Sequence, residues 1–388
     1  MNASATAPAP AHTAARTDES GPALRLAPAP ATGAAGVAER YGLTDEQLDQ
    51  LGRDLDAIRA RILDDLGEED VTYLRRVLAL QHGLEAAGRA TLLASWFPPF
   101  WLFGTGALAL SKILDNMEIG HNVMHGQYDW TNDPALAGDA FDWDTACPAE
   151  QWRHSHNVQH HTWTNVHGRD RDIGYGVLRM SEEQPWHPAY LLNPVYAVAL
   201  AFLFQYGVML HDVEADRIVA GERSWDEAWP VLREGLAKTA RQGAKDYLLW
   251  PALSGPSFLP TLLANATANA IRNVWAFAII FCGHFPEGVA EFSEDDLSGE
   301  TRGRWYLRQL LGSANITGGP LLHLLSGNLS HQIEHHLFPD LPARRYAGIS
   351  AEVRELCERY GLPYNARSLP RQFGSVVNKI VRLALPRT

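Results

Sequence analysis

Histidines carry most of the chemistry that this sequence could perform. Of the 16 histidines, only His12 and His82 lie outside residues 121–336. Most of the others fall into three clusters, each with the spacing of metal ligands on a helix. Neutral imidazole binds iron, zinc and copper well. The sequence therefore predicts a metal site whose ligands come from segments far apart in the chain.

The central cluster lies within residues 152–165. Residues four apart share one face of a helix, so His156 and His160 could bind one ion. His161 lies about 100° further round the helix and could serve a second ion or the other side of the first. His154 could replace His156 as a ligand, but we prefer His156 because it shares a face with His160. Taken alone, this cluster could also be a surface helix with solvated histidines.

Two outer clusters make a surface helix a poorer explanation. Upstream, His121 and His125 are again four residues apart. Downstream, the adjacent pair His335 and His336 follows Gln332. Three clusters of this kind are hard to produce by chance in one chain. We therefore expect all three to contribute ligands to the same site.

The order of the three clusters, HxxxH, HxxxHH and QxxHH, resembles the three histidine boxes of the membrane fatty acid desaturases. The segments at residues 160–165 and 332–339 support this resemblance. It covers roughly residues 90–345 and is closest to the bacterial acyl desaturases that have no fused cytochrome b5. The resemblance implies O2-dependent desaturation of a fatty acyl chain, carried as acyl-CoA or acyl lipid, with two electrons from an external donor.

The resemblance also implies which residues hold the metal, namely two iron ions (Fe²⁺). The implied ligands are eight histidines: His121, His125, His156, His160, His161, His284, His335 and His336. His284 is included because the family has one further ligand histidine between its last span and its third box. Gln332 stands where other desaturases have the first histidine of that box, so one ion could keep a vacancy or a bridging water there. Eight imidazoles exceed the four ligands of a zinc site, and zinc is redox-inert.

Other polar residues of the same segments have less definite roles. Asp170, Asp172, Asp212 and Glu334 could orient ligand imidazoles as hydrogen-bond acceptors, or could be surface acids of a polar loop. Asn165 could hydrogen-bond the substrate or the backbone. The remaining histidines match no ligand position, and we expect them to pack, be solvated or neighbour the site: His167, His187, His211, His323 and His331.

Composition excludes several kinds of protein. The 388 residues suffice for one large domain with tails, and the net charge of −12 argues against a nucleic-acid partner. Cys147, Cys282 and Cys357 are dispersed and odd in number, which fits a reducing compartment without a disulfide framework. No GxGxxG segment follows a predicted strand, and no haem motif is present. Electrons should therefore come from a separate partner, such as a ferredoxin or an oxidoreductase.

The chain divides into four predicted segments. Residues 1–36 form an Ala/Pro-rich disordered tail without a secretory signal, and residues 37–89 form an N-terminal helical region. Residues 90–345 form the membrane desaturase domain, and residues 346–388 form a C-terminal cytoplasmic tail. Within the second segment, Thr44 and its neighbours fit a capping box. The helix that follows should bury an apolar stripe made of Leu48, Leu51, Leu55, Ile58 and Ile62.

Three uncharged runs, at residues 90–111, 188–210 and 247–286 with Arg272 as the one interruption, are candidates for membrane segments. Pro98 and Pro99 should break or kink the first run. The resemblance implies an all-α integral membrane bundle of about four spans, with a histidine-rich cap on the cytoplasmic side. The basic segment at residues 211–246 favours the cytoplasm, yet a single pass at residues 188–210 would place it outside. The sequence leaves this conflict open.

Two other functions remain possible from the sequence. An acyl hydroxylase or related oxygenase of the same superfamily would begin with the same hydrogen abstraction, so the boxes do not distinguish it. A histidine-rich membrane metal transporter would place histidines inside the apolar runs, along a path. Here the histidines cluster just outside those runs, which disfavours a transporter.

Overall fold

The computed structural model describes residues 37–297 and 299–386, so the predicted tail at residues 1–36 lies outside the described residues. The described chain is mostly helical, as predicted. Its two short strands, β1 (Asn315–Thr317) and β2 (Ala366–Ser368), pair in parallel with Asn315 opposite Ala366. The protein is therefore a helical assembly in which a small two-stranded sheet links two distant segments.

The helices differ widely in length, and several are interrupted by wider turns. The first ten are α1 (Val37–Arg40), α2 (Asp45–Asp64), α3 (Glu68–Leu92), α4 (Pro98–Ile113), α5 (Asn122–Met124), α6 (Ala149–Trp152), α7 (His161–Trp163), α8 (Asn193–Phe202), α9 (Phe204–His211) and α10 (Ala215–Val219). The others are α11 (Trp225–Ala244), α12 (Trp250–Leu253), α13 (Phe258–His284), α14 (Arg302–Leu311), α15 (Pro320–Leu325), α16 (Gln332–Leu337), α17 (Tyr346–Arg359) and α18 (Leu369–Ala384). Three π-helical segments, Leu114–His121, Arg153–His160 and Lys245–Leu249, continue α4, α6 and α11.

The predicted capping box at the start of α2 is confirmed. The Gln47 backbone N–H donates to Thr44 Oγ1 at 3.3 Å, and the Thr44 N–H donates to Gln47 Oε1 at 2.9 Å. All five residues of the predicted apolar stripe are buried. They pack in one core with α14 and α17, where Gly303 permits close approach because a Cβ there would collide with the Leu48 carbonyl.

The first uncharged run does not form a single helix. It contains the tip and most of the second helix of a hairpin made of α3 and α4. Helix α3 ends at Leu92, and α4 begins at Pro98, as the two prolines led us to expect. Proline is tolerated in a first helical turn because its missing N–H would have no intrahelical partner there. Gly88 and Gly104 allow the two helices to pack closely, since a Cβ on Gly104 would lie 2.7 Å from Leu92 Cγ.

The third run forms most of a second hairpin: α11 leads into a first limb made of Lys245–Leu249 and α12, and α13 is the second limb. Its tip is bonded to the first tip: Ser257 Oγ donates to the Leu93 carbonyl at 2.9 Å, and Trp101 Nε1 donates to the Pro260 carbonyl at 2.9 Å. Further along, Asp246 is fully buried and accepts hydrogen bonds from Arg89 at 2.9 Å and Lys112 at 2.8 Å. The two hairpins therefore form one four-limbed bundle.

The second run is sharply bent. Helices α8 and α9 meet at Leu203 with an angle of 94° between the segments Pro188–Phe202 and Phe204–His211. Judged by length and apolar composition, this bent pair qualifies as a membrane-crossing candidate, whereas no individual helix in the described ranges does.

Candidate metal centre

The eight predicted ligand histidines meet at the base of the bundle. They lie in four stretches of the chain: the π-helical end of α4 together with α5, the π-helical segment that leads into α7, the end of α13, and α16. Seven of them are buried, and the eighth, His156, is 14% exposed. Segments more than 200 residues apart thus supply one cluster, because His121 Nε2 lies 3.2 Å from His335 Nε2.

The first group consists of His121, His125, His156 and His335. One ring nitrogen from each lies within 4.8 Å of those of the other three. The His121 and His125 rings are 4.7 Å apart, and His335 is 4.9 Å from His121 and 4.7 Å from His125. Four nitrogen atoms at this separation can surround a single metal ion.

The second group consists of His160, His284 and His336. Their ring centres are 4.6, 4.8 and 5.1 Å apart, and their ligand atoms also lie within 4.8 Å of one another. The sequence allowed His156 and His160 to bind one ion, and in the structure each of them also belongs to a separate histidine group. The two also form a third set of potential ligands together with Asp172. The four-residue spacing thus brings both rings to the site but does not decide which neighbours each ring meets.

His161 lies between the two groups. Its ring is 4.7 Å from His125 and 4.8 Å from His335 in the first group, and 4.4 Å from His336 in the second. Both of its ring nitrogens are buried without a hydrogen-bond partner. This placement leaves both assignments made from the sequence, a second ion or the other side of the first, geometrically open.

Two of the histidine motifs lie partly on π-helix rather than on the regular α-helix that we predicted, with His121, His156 and His160 in the π-helical segments and His125 and His161 outside them. Segments Leu114–His121 and Arg153–His160 have one additional residue per turn, a local widening that is common at functional sites. Gly120 lies against the carbonyl of Asp115, where a Cβ would be only 2.7 Å from the oxygen, and against Trp143. The wide turn that precedes His121 therefore packs against Trp143.

The buried ring nitrogens fit a metal. Nε2 of His125, His156, His160 and His336 has no hydrogen-bond partner, although buried polar atoms in proteins are nearly always paired. Burial lowers the pKa of His121 to about 3 and holds the pKa of the other first-group histidines well below the usual value. Neutral imidazoles with idle nitrogens form a donor set suited to a transition metal.

His160 differs from the other seven. Burial lowers its pKa, but the negative charges of Asp170 and Asp172 more than offset that effect and raise the pKa to about 9. Its Nδ1 lies 3.0 Å from Asp170 Oδ2 and 3.6 Å from Asp172 Oδ2. The two carboxylates proposed from the sequence as imidazole-orienting acceptors are therefore in place beside this histidine.

Two residues that contact predicted ligand histidines were missed in the sequence analysis. His336 Nδ1 lies 3.0 Å from Gln309 Oε1, an atom that can only accept, so this nitrogen carries the proton and Nε2 is left free for a metal. The Gln309 amide also donates to the His161 carbonyl at 3.2 Å. On the first group, the Tyr346 hydroxyl lies 3.3 Å from His335 Nδ1. A lone glutamine among the leucines of α14 was the only local signal for Gln309.

Several other predicted residues lie away from the ring cluster. His154 is 55% exposed and bonds Asp212, so Asp212 does not orient a cluster histidine. Asn165 bonds the backbone carbonyls of residues 290 and 312. Glu334 accepts from Asn315 and Tyr364 rather than from a cluster histidine, with burial raising its pKa to about 7. The remaining histidines also have other neighbours: His167 lies by Glu291, His187 caps the turn at residue 189, and His323 stacks on His331.

Two residues have contacts that the sequence did not specify. His211, which we expected to pack without a role, lies 3.1 Å from Asp172 Oδ1 and so touches the residue beside His160. Gln332 lies against the second group, with its Nε2 atom 3.0 Å from His284 Nε2. Its side chain packs on Gly283, where a Cβ would be 2.9 Å from Gln332 Cγ. Gln332 thus contacts a predicted ligand directly.

Replacing Gln309 with leucine should weaken metal retention at the second group by about 10–100-fold, because the His336 ring would lose the acceptor that orients it. The measurement is iron remaining per chain after dialysis against a graded series of chelator concentrations. Gln309→Glu retains an acceptor oxygen and should recover much of the loss. Gln372→Leu is the matched control, since Gln372 is equally buried but bonds Asn315 and Asn365 instead of a histidine. Equal iron loss in both leucine variants would contradict an orienting role.

Comparisons with known proteins agree with this geometry. The family model described as "Fatty acid desaturase" matches residues 94–368. The chain is 47% identical over 348 residues to the NADPH-dependent stearoyl-CoA 9-desaturase of Mycobacterium tuberculosis, which covers 89% of this chain and 82% of the relative. It is also 27% identical to the sn-1 linoleoyl-lipid 6-desaturase of Synechocystis, over 72% of this chain and 79% of the relative.

Proposed function

The chain belongs to the fatty acid desaturase family, and on that premise we propose that it introduces a double bond at carbon 9 of a long-chain acyl-CoA such as stearoyl-CoA. Desaturation of a fatty acyl chain follows from the family, and the 47% identity over most of both chains supports the substrate and the position. The family chemistry uses iron and O2. The observation that carries the proposal is the buried set of converging imidazoles with idle ring nitrogens.

We propose that the two histidine groups hold two iron ions, with His121, His125, His156 and His335 at the first and His160, His284 and His336 at the second. His161 would be shared or assigned to either ion. Bound iron would supply, with O2, the oxidising power that removal of hydrogen from an unactivated methylene requires. The chain's own residues orient the imidazoles through Gln309, Tyr346 and Asp170, and exclude water by burial.

The electrons come from a separate protein in this proposal. The relative from Mycobacterium tuberculosis is named as NADPH-dependent. A nicotinamide-binding GxGxxG segment after a strand is lacking in this sequence. We therefore propose an oxidoreductase that oxidises NADPH and passes two electrons to the iron centre, directly or through a ferredoxin.

We propose that the two hairpins enter the bilayer from the cytoplasmic side and supply the predicted four spans. Both tips carry exposed large apolar side chains, including Trp96, Phe97, Phe100, Phe258 and Leu259. A hairpin returns to the side from which it entered, so the histidine clusters share one side. In this proposal the segment bent by 94° between α8 and α9 also returns to the cytoplasmic side, which would keep the basic segment at residues 211–246 in the cytoplasm.

We also propose where the segments of the chain begin and end. We retain residues 90–345 as the desaturase domain, flanked by the helical region at 37–89 and the cytoplasmic tail at 346–388. The tail is closely joined to the domain, because Tyr346 contacts His335 and α17 shares a core with α14. We therefore expect truncation at residue 345 to disturb the metal centre.

Gas chromatography of cellular lipids tests the function. Cells that express the protein with a matching electron donor should accumulate oleoyl chains at the expense of stearoyl chains, and a His335→Ala variant should not. A hydroxylated acyl product would favour the oxygenase instead. Unchanged acyl composition, with iron-loaded protein present in the membrane fraction, would contradict the proposal.

Membrane fractionation tests the proposed location. The protein should sediment with membranes and be released by detergent but not by high salt, because apolar tips rather than charges would hold it there. Immunoblotting of each fraction provides the measurement. Recovery in the supernatant without detergent would show that the hairpin tips are covered by something other than lipid.

A further inference from the structure

A narrow cavity leads from the first histidine group into the helical bundle. It begins at His121 and His156 and extends to Arg272 and Asn273 on α13. Arg272, Ala276 and Ile280 line it at four-residue spacing, so this wall is about 12 Å long at 1.5 Å per residue. The rest of the lining is mixed: Met117, Phe204 and Val208 are apolar, whereas Asn116, Asp172, Gln205 and His211 are polar. The cavity therefore joins a proposed iron site to a buried guanidinium.

Arg272 is buried and makes no direct ion pair with a carboxylate of the described residues. It is 2% exposed, and Asp115, Asp144 and Asp246 attract it electrostatically without touching it. Only its Nη2 atom donates, to Gln205 Oε1 at 2.7 Å and Asn269 Oδ1 at 3.5 Å. Its Nε is buried and has no partner. A buried charge with idle donors destabilises a fold, so packing alone does not account for this residue.

We propose that Arg272 binds the carbonyl oxygen of the acyl substrate and thereby determines which carbons reach the histidine groups. This inference rests on the function proposed above. A saturated acyl chain is apolar except at its carbonyl, so the carbonyl is the one part of it that can accept hydrogen bonds from the idle guanidinium donors. Anchoring that oxygen at one end of the cavity fixes the distance along the chain at which the iron site acts.

The surroundings of Arg272 leave room for the carrier beyond the carbonyl. A larger polar cleft of about 340 Å³ lies next to the cavity and shares Trp143 with it. Asp115 lines the cleft, and the adjacent Asn116 lines the cavity. Lys112 and Lys245 also line the cleft, together with the acidic residues Glu85, Asp142 and Asp144. A carrier joined to the carbonyl by a thioester or an ester can therefore extend into this cleft while the acyl chain points toward the histidines.

Paired ligands that differ only in the carbonyl test the proposal. Dissociation constants would be measured on the iron-loaded, detergent-solubilised protein with stearoyl-CoA and its thioether analogue, and with an ester phospholipid and its ether analogue. The wild type should prefer the carbonyl member of one pair by about 10–100-fold, the expected effect of a hydrogen bond to a charged donor. In Arg272→Met that preference should vanish. The ligand-free variant should melt no lower than the wild type, because an unpaired buried charge has been removed.

Each outcome is decisive. A carbonyl preference in either pair supports the proposal, and the pair that shows it identifies the carrier. No preference in the wild type with either pair overturns it, as does a preference that Arg272→Met retains. If Arg272→Met does not fold, Arg272→Lys should show a reduced preference, and a full preference would overturn the proposal. A wild-type protein that prefers the carbonyl yet forms no unsaturated product would refute the proposed function and leave the anchoring role standing.

Discussion

Replacing His284 with alanine is expected to abolish desaturation and to lower iron from about two ions per chain to about one. His284 lies 4.6 Å from His160 and 4.8 Å from His336, so its loss leaves the second group with two imidazoles from that set. Gln332 beside it is a poor ligand for iron and would not compensate. Iron content by mass spectrometry and product formation with a supplied electron donor are the two measurements.

His211→Ala is the control for this variant. His211 also ends an apolar helix, but it contacts Asp172 instead of belonging to either ligand group. Its loss should retain most of the iron and reduce activity by about 10–100-fold, the usual range for a residue that orients the surroundings of a metal ligand. Full iron content in His284→Ala together with iron loss in His211→Ala would mean that the wrong histidine has been assigned.

Replacing His156 with alanine should also eliminate activity and remove iron from the first group, whereas His154→Ala should have little effect. The sequence allowed either histidine as the ligand. In the structure the His156 ring lies 5.0 Å from His121 and 5.2 Å from His125. His154 lies outside, more than half exposed, and bonds Asp212. An exposed histidine paired with an acid contributes little to stability.

His154 and His156 lie in the same π-helical segment, so each variant is the control for any local disturbance that the other substitution causes. Circular dichroism and thermal melting establish that both remain folded, and iron per chain then separates ligand loss from unfolding. If His154→Ala loses iron and His156→Ala retains it, His154 rather than His156 is the ligand, and the register of this segment differs from that of the structure by two residues. Loss from both would indicate that the π-helical segment, rather than either ring, is what the site depends on.

The sequence by itself determined the ligand chemistry, the family and the local helix signals. Histidine clusters at helical spacing are visible because ligand spacing is a local property of the chain. The capping box at Thr44 was predictable for the same reason, since both of its bonds span three residues. Gln332 was recognised because it replaces a histidine within a short motif.

Only the tertiary structure decided how those ligands are grouped and oriented. His156 groups with His121, His125 and His335, and His160 groups with His284 and His336, because rings from segments distant in the chain lie beside each of them. Gln309 contacts His336 across 27 residues and Tyr346 contacts His335 across 11 residues, and no motif in the sequence links either pair. The packing of the two hairpins and the burial of Arg272 likewise arise from contacts between distant segments. Those contacts depend on how apolar faces pack against one another. The local periodicity of a helix shows which face is apolar but does not show which distant segment packs against that face.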